Sequence, residues 1–314
     1  MTAVALIAAI AIFAQSKDLA LQIALDREGF SCNTIDGSWG EKSDRALARW
    51  IDANVAGGLS RRGDSVFRAA FFAEHFASGE PLFRYVRVTA ADVASLVQIP
   101  ASPSERSRLG AMGYESVKEL MAERGHLSQR ALERLNPKID WNRIKVGDVV
   151  KIPHFTSIEE YLASWPRKAG DLGAAFPEAA LVRISLSRCE ITAWDSAGGL
   201  LATFPCSIAQ SKSKLPPKGE LRIVTTIANP NYTYTPDGVP KDRPVRRYVW
   251  PAGPNCPVGV AWMGLDLPGY GIHGTPNPES IGRPESHGCF RLSNWNAARL
   301  YSMVKPGVKV LVEN

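Results

Sequence analysis

The chain has no C-x-x-C pair, no basic run interleaved with aromatics, and no apolar stretch long enough to span a bilayer. The first absence removes a zinc knuckle and a thioredoxin-like redox site. The second, with a net charge of only +6 over 314 residues, removes a nucleic-acid partner while leaving some preference for acidic surfaces. The third leaves Thr2 to Ala14, almost wholly apolar and about as long as a signal-peptide core. No Lys or Arg precedes it, and Ile12-Phe13-Ala14 is a poor cleavage site. Residues 1–17 are therefore either an export leader or a buried first helix, and any membrane proximity is confined to this N-terminus.

Cysteine is scarce and odd in number: Cys32, Cys189, Cys206, Cys256 and Cys289. Cys189 and Cys206 fall on neighbouring expected strands and either pair in an oxidising compartment or act as two small buried hydrophobes. What remains, 45% hydrophobic and 22% charged, is the composition of an ordinary globular protein long enough for two or three domains.

The expected division is a small α-helical unit over 18–80, an α+β module over 81–155, a linker over 156–177 and a β-rich domain over 178–314. Leu19 to Glu28 has helix-forming composition and Gly29 stops it. A compact loop of Asn, Asp, Ser and Gly follows, then a helix from about Glu41 to Ile51 with Ala46, Leu47 and Trp50 on one face. A further helix runs from Ser65 to Phe76, where His75 among phenylalanines reads as a packed histidine. Ser116 to Glu119 is a capping-box pattern, and Ser128 begins a second helix stopped by Asn136-Pro137. Ile144 to Pro153 is a turn into a short strand, with Tyr85 to Thr89 as a second strand at a distance. Further on, Leu181–Leu186, Cys189–Trp194 and Leu200–Ser207 form a meander around the hairpin signal at 195–199. Asn229 to Pro257, rich in Pro, Asn and Tyr, is long for a plain connection and is a candidate substrate loop. A helix from Ser293 to Val304 and a strand from Val308 to Val312 close the chain.

Chemistry concentrates at Ser286-His287-Gly288-Cys289-Phe290-Arg291-Leu292 and at Ile272-His273-Gly274-Thr275. A cysteine nucleophile reacts as thiolate and needs an imidazole nearby. Here two histidines lie within 16 positions of Cys289. His273, at an expected strand end, is the candidate general base. His287 either shapes the turn and the oxyanion pocket or acts as base itself. Gly288 lets backbone amides approach an oxyanion. Arg291 either holds a substrate carboxylate or stabilises the site by an ion pair. A rival for His273, His287 and Cys289 is zinc coordination, but H-x-C is not a usual structural-zinc spacing.

His-Gly-Thr, a proline-rich spacer and Ser-His-Gly-Cys-x-Arg-Leu together resemble the signature of the L,D-transpeptidase catalytic domain, the cysteine enzymes that cross-link bacterial peptidoglycan. The resemblance extends through Asn255 to Gly259, Trp262 to Leu265 and Pro217 to Ile223, roughly the last 135 residues, a usual domain size. It implies a β sandwich or barrel with one or two helices, catalysis by Cys289, His273, His287, Gly288 and Arg291, and substrate contacts from Ser286, Gly274, Trp262 and Asn255. It further implies a thioester formed on a tetrapeptide stem with release of D-alanine, resolution by an acceptor amine, acylation by carbapenems, and no metal or organic cofactor. The expected partner is peptidoglycan, stems and glycan strands, in the periplasm or cell envelope after export. Alternatives are an L,D-carboxypeptidase that passes the same thioester to water, and a non-catalytic wall-binding protein. The last draws on two further likenesses. Ile35-Asp36-Gly37-Ser38-Trp39-Gly40 between helices is similar to a small peptidoglycan-binding domain, with Asp36 and Trp39 either touching glycan or stapling helices. Helix, helix, Leu-Asn-Pro, Val-Gly-Asp and Ile-Pro resemble a lysin motif, which either binds N-acetylglucosamine glycans or is a degenerate spacer with Trp141 packed inside.

Overall fold

The computed structural model describes residues 17–55, 65–76, 81–164, 176–236, 246–286 and 288–314. Residues 1–16 of the expected leader, and His287, lie outside them. Among the described residues no helix is long and apolar enough to cross a membrane.

Helix α1 covers 17–27, and α2 (Glu41–Asn54) and α3 (Ser65–His75) follow. Leu21, Leu25, Phe30, Ala46, Leu47, Ile51 and Phe71 bury their side chains together, each apolar side chain contributing about 1.5–3 kcal/mol. His75 is packed as its neighbours suggest, with ring centroids 4.3 Å from Phe71 and 5.3 Å from Trp50. Asp36 accepts from the Ser38 amide at 2.8 Å, and Trp39 Nε1 donates to Asp44 at 2.7 Å. Both side chains thus hold the loop and the start of α2.

In the middle unit β1 (Phe83–Arg87) pairs antiparallel with β2 (Val149–Pro153) across the intervening residues 88–148 of helix and loop. Between them lie α4 (Ala90–Ala94), α5 (Pro103–Arg106), α6 (Val117–Arg124) and α7 (Gln129–Leu135). Ser116 and Ser128 cap α6 and α7 by accepting from the amides three residues on, the interaction that their sequence position predicts. The capping box at Ser116 is altered, because Glu119 accepts from the Glu115 amide at 2.7 Å. Trp141 packs against this unit's core. Ile23 and Ile35 also enter that core, so the 18–80 and 81–155 units share side chains.

The stretch expected as a linker contains α8 (Ile158–Ser164). Ile158 and Tyr161, three apart on one helical face, are buried in the C-terminal core, and that burial favours a helix in the first part of this stretch; Pro166 and Gly170 lie outside the described residues.

The C-terminal domain contains β3 (Leu181–Ser185), β4 (Glu190–Trp194), β5 (Leu200–Pro205) and β6 (Ile208–Ala209). There follow β7 (Gly219–Ala228), β8 (Tyr232–Tyr234), β9 (Tyr248–Trp250), β10 (Ala261–Leu265) and β11 (Gly271–His273). β12 (Pro284–Ser286), β13 (Phe290–Arg291), α9 (Asn294–Tyr301) and β14 (Lys309–Glu313) complete it. Eight strands make one curled sheet in the order β13-β11-β10-β7-β14-β3-β4-β5. The C-terminal domain is β-rich as expected, and its main sheet is curled. The ten-residue β7 pairs with β14 through its first part and with β10 through its second, so one strand serves both halves of the sheet. Val182, Ile184, Phe204, Ile223, Val310 and Val312 point inward with α9 side chains Ala297 and Leu300, following the period-two alternation of half-buried strands.

The three units are docked. Phe30 bridges to Thr203 on the outer edge of β5, with backbone bonds of 2.9 Å from Ser31 and to Gly29. Arg49 on α2 meets Glu190 on β4 at 2.6 Å. The middle unit reaches the C-terminal domain through the 95–116 segment, where Trp250 Nε1 donates to the Pro103 carbonyl at 2.9 Å. Gly253, at φ 144°, lies so close to the Met112 backbone that a Cβ would sit 2.6 Å from its carbonyl carbon, a crossing that only glycine allows.

Candidate active site

β11 and β13 run parallel, with Ile272 opposite Phe290 and His273 opposite Arg291. The register brings Cys289, one residue before β13, beside the start of β11. Its sulfur lies 3.4 Å from the Gly269 carbonyl, and the Gly271 backbone also contacts it. Cys289 is half-buried. Burial raises its thiol pKa above the usual range, more than the Gly271 backbone and the Arg291 charge lower it.

His273 is buried and its ring stacks on Trp262, which is opposite it in the β10–β11 ladder, at a centroid separation of 5.4 Å. Nδ1 lies 2.6 Å from the Gly274 carbonyl. A carbonyl only accepts, so Nδ1 carries the proton and Nε2 presents a lone pair. Burial pushes the imidazole pKa down to about 4, against the Gly274 hydrogen bond and with help from Arg291. The ring is therefore neutral near pH 7, the state that a proton acceptor requires.

Ser286 is buried at the end of β12, donates to the Cys289 carbonyl at 2.6 Å and accepts from the Gly288 amide at 3.3 Å. It ties the turn that carries the cysteine. Gly288 has φ 154°, and a Cβ there would meet only ordinary contacts, the nearest at 3.5 Å from the Tyr270 ring. Backbone conformation rather than space calls for glycine at this position. Arg291 exchanges backbone bonds with Ser207 at 2.9 and 3.0 Å, while its buried Nε has no partner. Such an unpaired donor near the candidate nucleophile is suited to receive a carboxylate.

The structure thus gathers Cys289, His273, Gly288, Arg291, Ser286 and Trp262. Gly274 is adjacent but fully packed, since a Cβ there would collide with Asn294 Oδ1. Its carbonyl orients His273. Asn255 is directed elsewhere: its side chain donates to the Gly113 carbonyl at 3.0 Å and its amide to the Met112 carbonyl at 2.9 Å. It docks the middle unit instead of facing the cysteine. Sequence reasoning missed Ser207 and Asn294. Neither stands in a recognisable motif, and Asn294 shows only as the residue after a helix cap. All five cysteines are free thiols, with Cys206 buried and Cys189 half-buried, and among the described residues no three acidic, His or Cys side chains converge as metal ligands.

Residues 179–312 match the family model described as the YkuD L,D-transpeptidase catalytic domain. YqjB of Bacillus subtilis, named as an L,D-transpeptidase, is 31% identical over 112 residues, covering 34% of this chain and 57% of that protein. A Fuscovulum blasticum protein named for the same activity, from the ATP synthase subunits region, is 35% identical over 119 residues, or 38% of this chain and 61% of its own. The crystal structure of L,D-transpeptidase 3 from Mycobacterium tuberculosis overlays with a TM-score of 0.35 at 20% identity, covering 59% of this chain and 85% of that one, too loosely to carry an argument. The chain thus spans 57% and 61% of the length of these two curated relatives. The matched span runs from just before β3 into β14, so residues 179–312 are what is similar to the L,D-transpeptidase catalytic domain.

Proposed function

We propose that the chain is a cysteine L,D-transpeptidase of the cell envelope acting on peptidoglycan stem peptides. The observation that supports this reading is the parallel register of β11 and β13, in which Cys289 falls at the level of Gly271, two residues before a neutral His273 whose Nδ1 is committed to Gly274. In the resting site both partners are uncharged, so attack couples to proton transfer. The sulfur bonds to the stem carbonyl while its proton passes to His273 Nε2. Collapse of the tetrahedral intermediate breaks the amide, and D-alanine leaves with that proton, giving the thioester. An acceptor amine then attacks, yields its proton to Nε2, and the departing sulfur is reprotonated. Arg291 Nε is the donor for a stem carboxylate. Carbapenems, which present a strained acyl group, would acylate the same sulfur.

The N-terminal and middle units are read as glycan-contacting modules that hold the catalytic domain on the sacculus. Their support is the pairing of β1 with β2 around four intervening helices, of which α6 and α7 precede β2, and the position of the loop at 35–40 between helices.

Incubation with disaccharide-tetrapeptide, followed by mass, tests the reading. Dimer plus free D-alanine, lost in Cys289→Ala, supports it. Tripeptide plus D-alanine replaces it with a carboxypeptidase, and an unchanged substrate refutes both. Sacculus pull-down of Cys289→Ala tests the modules separately.

A further inference from the structure

A cavity of about 430 Å³ opens where the three units meet, lined by none of the site residues. Arg27 ends α1, Arg84 lies on β1, His126 follows α6, His154 follows β2, Glu160 is on α8 and Arg299 on α9, and all six line it. Three guanidiniums and two imidazoles thus face a single carboxylate, and that carboxylate is largely exposed and 3.9 Å from Arg84 Nη1. Arg299 donates to the carbonyls of Asp26 and Arg27 at 2.6 and 2.7 Å, and Arg27 donates to the carbonyl of His154 at 3.1 Å. These acceptors are neutral carbonyls.

Two further groups on this cavity are buried with no hydrogen-bond partner, Arg84 Nε and His126 Nε2. Leaving such groups unmade is unfavourable and uncommon enough to need a reason. His126 is 5% exposed. Its Nδ1 is 2.6 Å from Asp26 Oδ2, and its ring stacks on Phe155 at 4.1 Å and Trp295 at 5.0 Å. The ring is held rigidly with Nε2 as its one unused atom.

We propose that this cavity binds a small oxyanion, a carboxylate or phosphate group of a ligand, through Arg84 Nε and His126 Nε2 in the field of Arg27 and Arg299. The anion needs an N–H at Nε2. With Nδ1 already bonded to Asp26, the ring must then be imidazolium, so each anion brings one proton with it. Burial lowers the pKa of empty His126, the facing Arg299 and Arg84 lower it further, and Asp26 opposes both. Arg27, His154, Glu160 and Tyr161 are the other titratable groups on the cavity, and burial raises the Tyr161 hydroxyl out of the range of interest. Aromatic faces on Phe155 and Trp295 favour the cationic ring once it forms. Affinity therefore increases as pH falls, by up to about tenfold per unit. Because its walls come from every unit, an occupied cavity fastens the two N-terminal units to the catalytic domain.

Calorimetric titration of the full chain with sulfate and, separately, acetate tests this at about pH 5.5 and 8, where neither probe changes charge but an imidazole does. Ionic strength is matched with chloride, and each pH is repeated in two buffers of different ionisation heat. Expected are one-site binding, affinity at least about tenfold higher at the lower pH, and uptake of about one proton per anion. Tighter sulfate points to a phosphate-bearing ligand, tighter acetate to a carboxylate. Arg84→Gln and His126→Gln should each weaken binding by about tenfold. Should His126→Gln not fold, the imidazole of the unaltered protein is titrated by NMR, where added sulfate must raise its pKa. No binding of either probe, pH-independent binding, unchanged affinity in Arg84→Gln, or an unmoved imidazole titration would each overturn the proposal.

Discussion

Asn294 Nδ2 donates to the buried Glu123 carboxyl at 2.9 Å, while Oδ1 of the same side chain accepts from the Val260 amide at 3.3 Å. Asn294 also lies against Gly274, the residue whose carbonyl orients His273. One amide therefore links α6 of the middle unit to the backbone beneath the candidate base. Tyr114 adds a second donor to Glu123 at 3.1 Å, and burial pushes the carboxyl pKa up to about 8.

That carboxyl makes stability depend on pH. Unfolded, it releases its proton near the ordinary pKa of 4.5; folded, it holds the proton to about 8. Between these values the native state binds more protons, so its stability falls as pH rises, by a few kcal/mol at most. Glu123→Gln keeps both acceptor bonds and cannot ionise. Its melting temperature should change less between pH 5 and 8 than that of the parent. Identical slopes would mean that Glu123 is ionised throughout.

His273→Gln should reduce the rate of carbapenem acylation by about 10²–10⁴ without unfolding the domain. In the parent, the acid limb of the rate profile should fall near pH 4, the depressed value for His273. An acid limb at the ordinary histidine value would indicate that the ring is solvated or paired with a thiolate.

The resting thiol should show the opposite signature. Because burial raises the Cys289 pKa, alkylation by iodoacetamide, followed on the 289 peptide, should keep accelerating beyond pH 8. A plateau by neutral pH would establish a standing thiolate.

Ser286→Ala deletes the bond to the Cys289 carbonyl and the acceptor for the Gly288 amide, each worth about 1 kcal/mol. Acylation should slow by about tenfold to a hundredfold while the melting temperature shifts only slightly. Unaltered acylation would show that the turn holds its shape without the hydroxyl.

Much of this was legible in the chain itself where the cause is local. Ser116 and Ser128 cap helices because a hydroxyl there reaches an amide three residues on, and β3, β4 and β5 follow from alternation and the Asp195–Gly199 turn. The cysteine, the base and the arginine share one short motif plus a strand end. Contacts made across the chain left no such trace. Asp26 and His126 are separated by 100 positions, Asn255 resembles a site residue until Gly113 claims its amide, and α8 is visible only once the sheet that buries Ile158 and Tyr161 exists. Curling is similarly hidden, because nothing in the composition of β7 says that its two ends face different partners.

The segment at 29–31 has a consequence for how the enzyme can be dissected. By bonding to Thr203 it closes a ladder that would otherwise end in bare amides and carbonyls on β5. A fragment trimmed to the matched family span would present that open rim to other molecules, so it should self-associate even if its catalytic centre stayed whole. The small helical unit thus covers a sheet edge that would otherwise lie open.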